Sequence, residues 1–250
     1  MSLFTAFITG ASSGIGLETA RQLAPHAKTL ILNGRRRERL EKLKDELSAK
    51  CQVHIACFDV SDRKQVDGWF AQNQNVLGNV NVLLNNAGLA KGTDPLHKGK
   101  IEDWDEMIDT NIRGLLYVTR QILPAMVTQK QGHVVNIGSV AGRWSYPGGA
   151  VYCATKFSVR AISECLRMDL LGTGIRVTNI EPGMVETEFS EVRFQDKEKA
   201  KQVYKNMQPL TAKDIAETVV WSLQRPAHVN IQELVIFPTD QASIRDVHRT

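Results

Sequence analysis

Tyr152 and Lys156 stand four residues apart in segment 151–170, whose pattern predicts a helix, so the two side chains share one face. An ammonium a few ångströms from a phenol favours the phenolate and is expected to lower the tyrosine pKa. A phenol tuned toward neutrality can give or take the proton of an alcohol. By itself, Y-x-x-x-K fits a surface pair on an amphipathic helix just as well. Ser139 shifts that balance. It follows the apolar run 134–137 and precedes Tyr152 by one loop. Open α/β sheets bind ligands at the carboxyl ends of their strands, where a serine hydroxyl can hold a substrate oxygen beside the phenol. The plainer role of a serine there is to cap a helix. Asn111, in Asp109-Thr110-Asn111, is a polar residue entering an otherwise apolar helix, and its plainer reading is an ordinary helix position.

The chain opens on a candidate cofactor site. The run Thr9-Gly10-Ala11-Ser12-Ser13-Gly14-Ile15-Gly16 follows an apolar stretch, 3–8, and precedes Leu17-Glu18-Thr19-Ala20. This predicts a strand, a tight turn and a helix. Glycines at 10, 14 and 16 allow a sharp turn, close approach to a pyrophosphate and tight helix packing. The helix N-terminus then offers free N–H groups to phosphate. The second strand ends Asn33-Gly34-Arg35-Arg36, with no acid for a ribose 2′-hydroxyl. Arginine forks match a 2′-phosphate, so Arg35 and Arg36 predict NADP rather than NAD. Arg37 reads as the start of a solvated helix.

The elements that must position these groups alternate regularly. Strands are predicted at 4–8, 29–32, 53–58, 82–85, 134–137, 176–180 and 233–237. Helices are predicted at 14–23, through Leu40, Leu43 and Leu47, and at 66–74, 108–128, 151–170 and 211–223. The strands are nearly continuous apolar runs, as in strands buried on both faces. The expected fold is an α/β, Rossmann-type, doubly wound sheet of seven parallel strands with helices on both faces, in one domain spanning 1–250. Segment 183–208 has no place in the alternation and follows a strand end, where a substrate lid would sit.

With 250 residues, 42% apolar and 23% charged, the composition is that of an ordinary soluble protein. The net charge of +4 is small, and its basic residues are interleaved with acids, which argues against a nucleic-acid partner. Cys51, Cys57, Cys153 and Cys165 show no C-x-x-C pairing, so reduced thiols are expected and no metal site. No apolar run reaches membrane-spanning length, and Met1-Ser2-Leu3-Phe4 leads directly into a strand. A cytoplasmic location with no membrane partner is the expectation.

The glycine run, Asn85-Asn86-Ala87-Gly88, Asn111, Ser139 and Tyr152-x-x-x-Lys156 occur in one order, and together they resemble the short-chain dehydrogenases/reductases along the whole chain. The resemblance implies hydride transfer to or from a nicotinamide. It implies that Tyr152 is the acid or base, that Ser139 positions the carbonyl or hydroxyl, and that Lys156 holds the nicotinamide ribose and depresses the tyrosine pKa. Asn111 would hold a water linking Lys156 to solvent. Asp59 and Val60 would contact the adenine, and Asn86, Ala87 and Gly88 the ribose. Pro182 and Gly183, with Val185 and Thr187 beyond them, would cover the nicotinamide.

Further stretches, among them Glu102-Asp103-Trp104, Tyr146-Pro147-Gly148-Gly149 and Glu188-Phe189-Ser190-Glu191-Val192-Arg193-Phe194, are similar to the NADP-dependent 3-hydroxy acid (serine or L-allo-threonine) dehydrogenases. That group oxidises the β-hydroxyl of serine, allo-threonine or 3-hydroxypropionate-type acids and, in reverse, reduces malonic semialdehyde. Members commonly form tetramers, so a homotetramer is expected. One departure is visible: Glu186 stands where the group commonly has small residues, in a segment that looks one residue shorter. A carboxylate substrate needs a cation or a donor cluster. Arg193 and Arg143 are the candidate cations; Gly148 and Gly149 are candidates for leaving space and offering N–H groups beside the phenol. The alternatives are another carbonyl or 3-oxoacyl reductase of the same superfamily, or a non-catalytic NADP-binding module.

Overall fold

The computed structural model describes residues 4–250; Leu3, the first residue of the opening apolar run, lies outside the described residues. Seven parallel strands form one sheet in the order β3-β2-β1-β4-β5-β6-β9. They are β1 (Phe4–Ile8), β2 (Ala27–Gly34), β3 (Gln52–Cys57), β4 (Val80–Asn85), β5 (Gly132–Ile137), β6 (Ile175–Pro182) and β9 (Glu233–Ile236). Two short strands, β7 (Val185–Glu186) and β8 (Leu210–Thr211), pair separately.

Period-two alternation divides the core into two halves. Ala6, Ile8, Leu30, Leu32 and Leu84 point to one face, against Leu23 of α1 (Gly14–Leu23), Leu40, Leu43 and Leu47 of α2 (Arg37–Leu47), and Val219 and Leu223 of α10 (Ala212–Leu223). Phe7, Ile31 and Leu83 point to the other face. There they meet Val66 and Phe70 of α3 (Arg63–Gln72), Leu77 of the one-turn α4 (Gln74–Leu77), and Val118, Ile122 and Met126 of α6 (Leu115–Gln129). Burying the five inner strands on both faces explains their nearly unbroken apolar runs, while the edge strands β3 and β9 are only partly buried.

The chain winds outward from β1 to β2 and β3, then returns to pair β4 on the other side of β1. That reversal opens a crevice at the strands' carboxyl ends. The turn after β1 and the segment after β4 flank it. No helix among the described residues is long and apolar enough to cross a membrane.

Two elements differ from expectation. The predicted helix 108–128 begins earlier, as α5 (Ile101–Ile108), and passes through a π-helical segment (Asp109–Gly114) into α6. Its start carries Glu102 and Asp103 in the first turn, where acids favour a helix N-terminus. The lid segment 183–208 has structure of its own: β7, α8 (Phe189–Phe194) and α9 (Lys197–Val203). Glu186, the departure noted above, is exposed in β7 and absent from the cleft lining.

Candidate active site

The glycine turn and the Asn-Asn-Ala-Gly segment are tied together through Thr9. Its Oγ1 accepts from the N–H groups of Asn86 (2.9 Å) and Ala87 (3.0 Å) and donates to the Leu84 carbonyl (3.2 Å). Asn86 in turn donates from Nδ2 to the carbonyls of Thr9 and Gly10. Gly10 has φ +67°, and a Cβ there would meet Asn86 Nδ2 at 2.7 Å and the Ala87 backbone at 3.0 Å. Only glycine fits that close approach.

A cleft of about 510 Å³ opens over this cradle. It is lined by Gly10, Ser12, Ser13, Gly14 and Ile15, by Arg35, Arg36, Asp59 and Val60, and by Asn86, Ala87 and Gly88. Ser139, Tyr152 and Lys156 line it deeper in, and Pro182 at the end of β6, with Gly183, Val185, Thr187 and Arg193 of the segment that follows, lines its other side. Two expected cofactor contacts are not in the lining. Ala11 is fully buried, its N–H bonded to the Asn33 carbonyl at 2.8 Å. Gly16 packs against the Gly10 carbonyl and Asn86, so it serves the turn rather than the cleft.

At the nucleotide end, Arg36 donates from Nε and Nη2 to Ser12 Oγ (3.1 Å each) and from Nη2 to Ser13 Oγ (2.6 Å). Arg35 lies 3.4 Å from Asp59. Arg37 starts α2 and pairs with Glu41, as a solvated helix face does. Cationic side chains beside two hydroxyls and a glycine turn fit a dinucleotide carrying an extra phosphate. The residues present therefore suit NADP.

At the chemical end, α7 (Ala150–Asp169) carries both Tyr152 and Lys156 inward, 9% and 7% exposed. Ser139 follows β5, accepts from the Ala141 N–H at 3.1 Å, and its hydroxyl lies beside the Tyr152 phenol, working against the rise of its pKa. It is thus both a cap and a neighbour of the phenol. The expected lowering of the tyrosine pKa is not found. Burial pushes the phenol above its ordinary range, Tyr146 adds to this, and Ser139 and Arg193 offset it only in part. Lys156 Nζ lies 6.0 Å from the ring centroid, donates to the Ile137 carbonyl at 2.9 Å and is itself drawn down to about 8 by burial. At that distance desolvation outweighs the ammonium's attraction for a phenolate.

Asn111 sits in the π segment, 2% exposed, behind the cleft wall. Its Oδ1 accepts from the Leu89 N–H (2.9 Å) and its Nδ2 donates to the Leu89 carbonyl (2.8 Å) and Thr155 Oγ1 (3.0 Å). A Cβ on Gly88 would stand 3.2 Å from Asn111 Oδ1 and 3.6 Å from Lys156 Nζ. Asn111 thus braces the segment after β4 against the helix that bears the tyrosine.

Arg193, on α8, reaches back over the phenol. Its guanidinium carbon is 5.8 Å from the Tyr152 ring centroid and 5.4 Å from that of Tyr146, and its Nε donates to the Gly92 carbonyl at 3.3 Å. Arg143, the other candidate cation, is committed elsewhere. It is bound to fully buried Glu181 and to Glu233, which also pairs with Arg160 at 3.0 Å. Gly148 does not face the phenol's cleft. At φ +75° it backs onto the Thr93 carbonyl, and the Gly149 N–H is spent on the Tyr146 carbonyl.

Several lining residues carry no local signal in the sequence. Tyr204 bridges Ser190 and the Val185 carbonyl, and Gln241 and Ile244 return from the C-terminal tail. Glu188, at the lid's approach to Arg36, was legible only as part of a motif.

A doubly wound sheet whose switch point holds a glycine-rich dinucleotide cradle, with Ser, Tyr and Lys at its inner end, defines a nicotinamide-dependent oxidoreductase. The chain belongs to the short chain dehydrogenase family, whose model matches residues 4–198. It is 48% identical over 245 residues to the NADP-dependent 3-hydroxy acid dehydrogenase YdfG of Escherichia coli (strain K12), covering 97% of this chain and 98% of that protein. It is 46% identical over 237 residues to sulfoacetaldehyde reductase 2 of Chromohalobacter salexigens, covering 94% of each. Among solved structures it superposes on the closed form of serine dehydrogenase complexed with NADP+ with a TM-score of 0.92, at 46% identity, covering 99% of this chain and 100% of that one. The protein is an NADP-dependent oxidoreductase acting on CH–OH groups.

Proposed function

We propose that the enzyme transfers a hydride between NADP(H) and the β-hydroxyl or β-carbonyl of small 3-hydroxy acids, with serine, allo-threonine and 3-hydroxypropionate/malonic semialdehyde as the substrate class. The observation that carries this reading is Arg193. It is half-buried, faces the Tyr152 ring and makes no ion pair among the described residues. A partly desolvated cation beside the reacting phenol calls for an anionic group on the substrate.

In this reading Ser139 holds the substrate oxygen, and Tyr152 gives the proton to it during reduction or takes it during oxidation. The raised phenol pKa suits the acid role, because the proton stays on the ring through neutral pH. Lys156 holds the nicotinamide ribose and places a positive charge below the phenol. Asn111 keeps that lysine's wall in place. The nicotinamide itself supplies or accepts the hydride at the substrate carbon. Arg193 pins the substrate carboxylate, which fixes the β-carbon relative to Ser139 and Tyr152. Tyr146, stacked under Arg193, holds the guanidinium in place.

A sulfonate is the second anion that an arginine here would accept, and the similarity to sulfoacetaldehyde reductase 2 favours testing it. The test is a screen of purified protein with NADP and NAD side by side, using serine, allo-threonine, 3-hydroxypropionate, 2-hydroxyethanesulfonate and 3-hydroxyacyl thioesters. Preference for the small carboxylates supports the proposal. Preference for the sulfonate or the thioesters replaces it.

The same reading includes a homotetramer in the cytoplasm. Exposed apolar side chains on α6 and α7 (Leu116, Phe157, Met168) and on α10 and β9 (Trp221, Val235) are the surfaces such an assembly would cover. Light scattering on the purified chain measures the state directly.

A further inference from the structure

Glu188 carries a carboxylate from the lid onto the arginines at the nucleotide end. Its Oε2 accepts from Arg36 Nη1 at 2.8 Å and its Oε1 from Arg39 Nη1 at 2.6 Å. These bonds join residues about 150 positions apart in sequence, across the mouth of one cleft that Ser12, Ser13, Arg36 and Glu188 all line. A guanidinium has five N–H donors. Arg36 spends one on Glu188 and three on the two serine hydroxyls. One N–H remains. A phosphate held by a fork of two parallel bonds therefore has to take a donor from Glu188 or from the serines. Burial would by itself raise the Glu188 carboxyl, but hydrogen bonds from Arg36 and Arg39 hold it below its ordinary range, so it is ionised at neutral pH.

We propose that Glu188 is a built-in competitor of the cofactor's 2′-phosphate, so that lid carboxylate and phosphate draw on the same guanidinium of Arg36. This rests on Arg36 as the phosphate-recognising residue. One consequence follows from the geometry. The enzyme's preference for a 2′-phosphate is smaller than its arginines alone would give, because a like charge stands beside them. Glu188 is thereby a specificity-determining residue that touches the phosphate's ligands rather than the reacting atoms.

The contact is partly exposed, so its strength is that of a screened pair. The test is calorimetric titration of the full chain with 2′,5′-ADP and with 5′-AMP, which share the adenosine and differ in the 2′-phosphate. Glu188→Gln is expected to tighten 2′,5′-ADP about threefold or more at low salt, to leave 5′-AMP within about twofold, and to lose the gain as salt rises. Glu188→Ala should do the same. In an Arg36→Ala background the effect of Glu188→Gln should vanish, as expected when two residues act through one contact. Unchanged or weaker 2′,5′-ADP binding in Glu188→Gln, with Arg36→Ala still losing its preference for 2′,5′-ADP, overturns the competition and leaves Arg36 as the phosphate site. An Arg36→Ala variant that binds 2′,5′-ADP as well as the parent overturns both readings.

Discussion

The guanidinium of Arg193 lies 5.8 Å from the centre of the Tyr152 ring, although the two residues belong to different elements and are 41 positions apart. This puts a cation and a phenol on the same small volume. Arg193→Met is expected to raise KM for serine or 3-hydroxypropionate by about tenfold or more, the scale of one lost charged hydrogen bond. A neutral alcohol or aldehyde of similar size should be affected much less. Paired KM ratios, mutant over parent, decide it; equal ratios would remove Arg193 from substrate recognition.

Tyr152→Phe keeps the ring and its contact with Phe189 while deleting the proton. Turnover should fall to near background with NADPH still bound, as followed by cofactor fluorescence. Because burial raises the phenol, reduction should stay nearly level through neutral pH and decline only in alkali. Oxidation needs the deprotonated form and should climb with pH over the same range. A reductase rate that already falls between pH 5 and 7, below the range where Lys156 loses its charge, would contradict the raised phenol.

Arg35 and Arg36 are tested together. The double change to alanine should weaken NADP binding by about tenfold to a hundredfold and NAD binding little, since one charged phosphate contact is worth on the order of 1.5–3 kcal/mol. Equal losses for the two cofactors would mean that the pair only shapes the turn around Ser12 and Ser13.

His133 gives a stability prediction independent of catalysis. It is buried in β5, shares a 2.8 Å hydrogen bond with Thr178, and burial drives its pKa from 6.5 down to about 3. The unfolded chain takes up a proton near pH 6.5 that the native ring refuses until about pH 3. The neutral ring therefore favours the native state fully above pH 6.5, and that contribution is lost as pH falls toward 3, by several kcal/mol in all. Urea midpoints measured across this window should drop steeply, and less steeply in His133→Gln. An equal slope in both would show that other groups govern acid unfolding.

The order of strands and helices, the glycine turn, and the inward helix face of Tyr152 and Lys156 were legible in the sequence. Each depends on short-range rules: alternation in buried strands, positive φ at glycine, and the four-residue spacing of one helix face. Arg35 and Arg36 were legible for the same reason, since they directly follow a strand whose carboxyl end opens on the cleft. Tertiary structure decided what long-range packing controls. The π segment that seats Asn111 depends on Leu89 and Thr155, 22 and 44 residues away. Arg143 and Arg193 look alike as exposed arginines in loops, but Glu181, buried at the end of β6, claims the first and leaves the second to the cleft. Gly148 looks like spare room beside the phenol until the Thr93 backbone fills it from the other side. The phenol's pKa followed the same logic. Spacing places an ammonium near the ring, but only the folded core determines how much water is removed from it, and here that removal outweighs the charge.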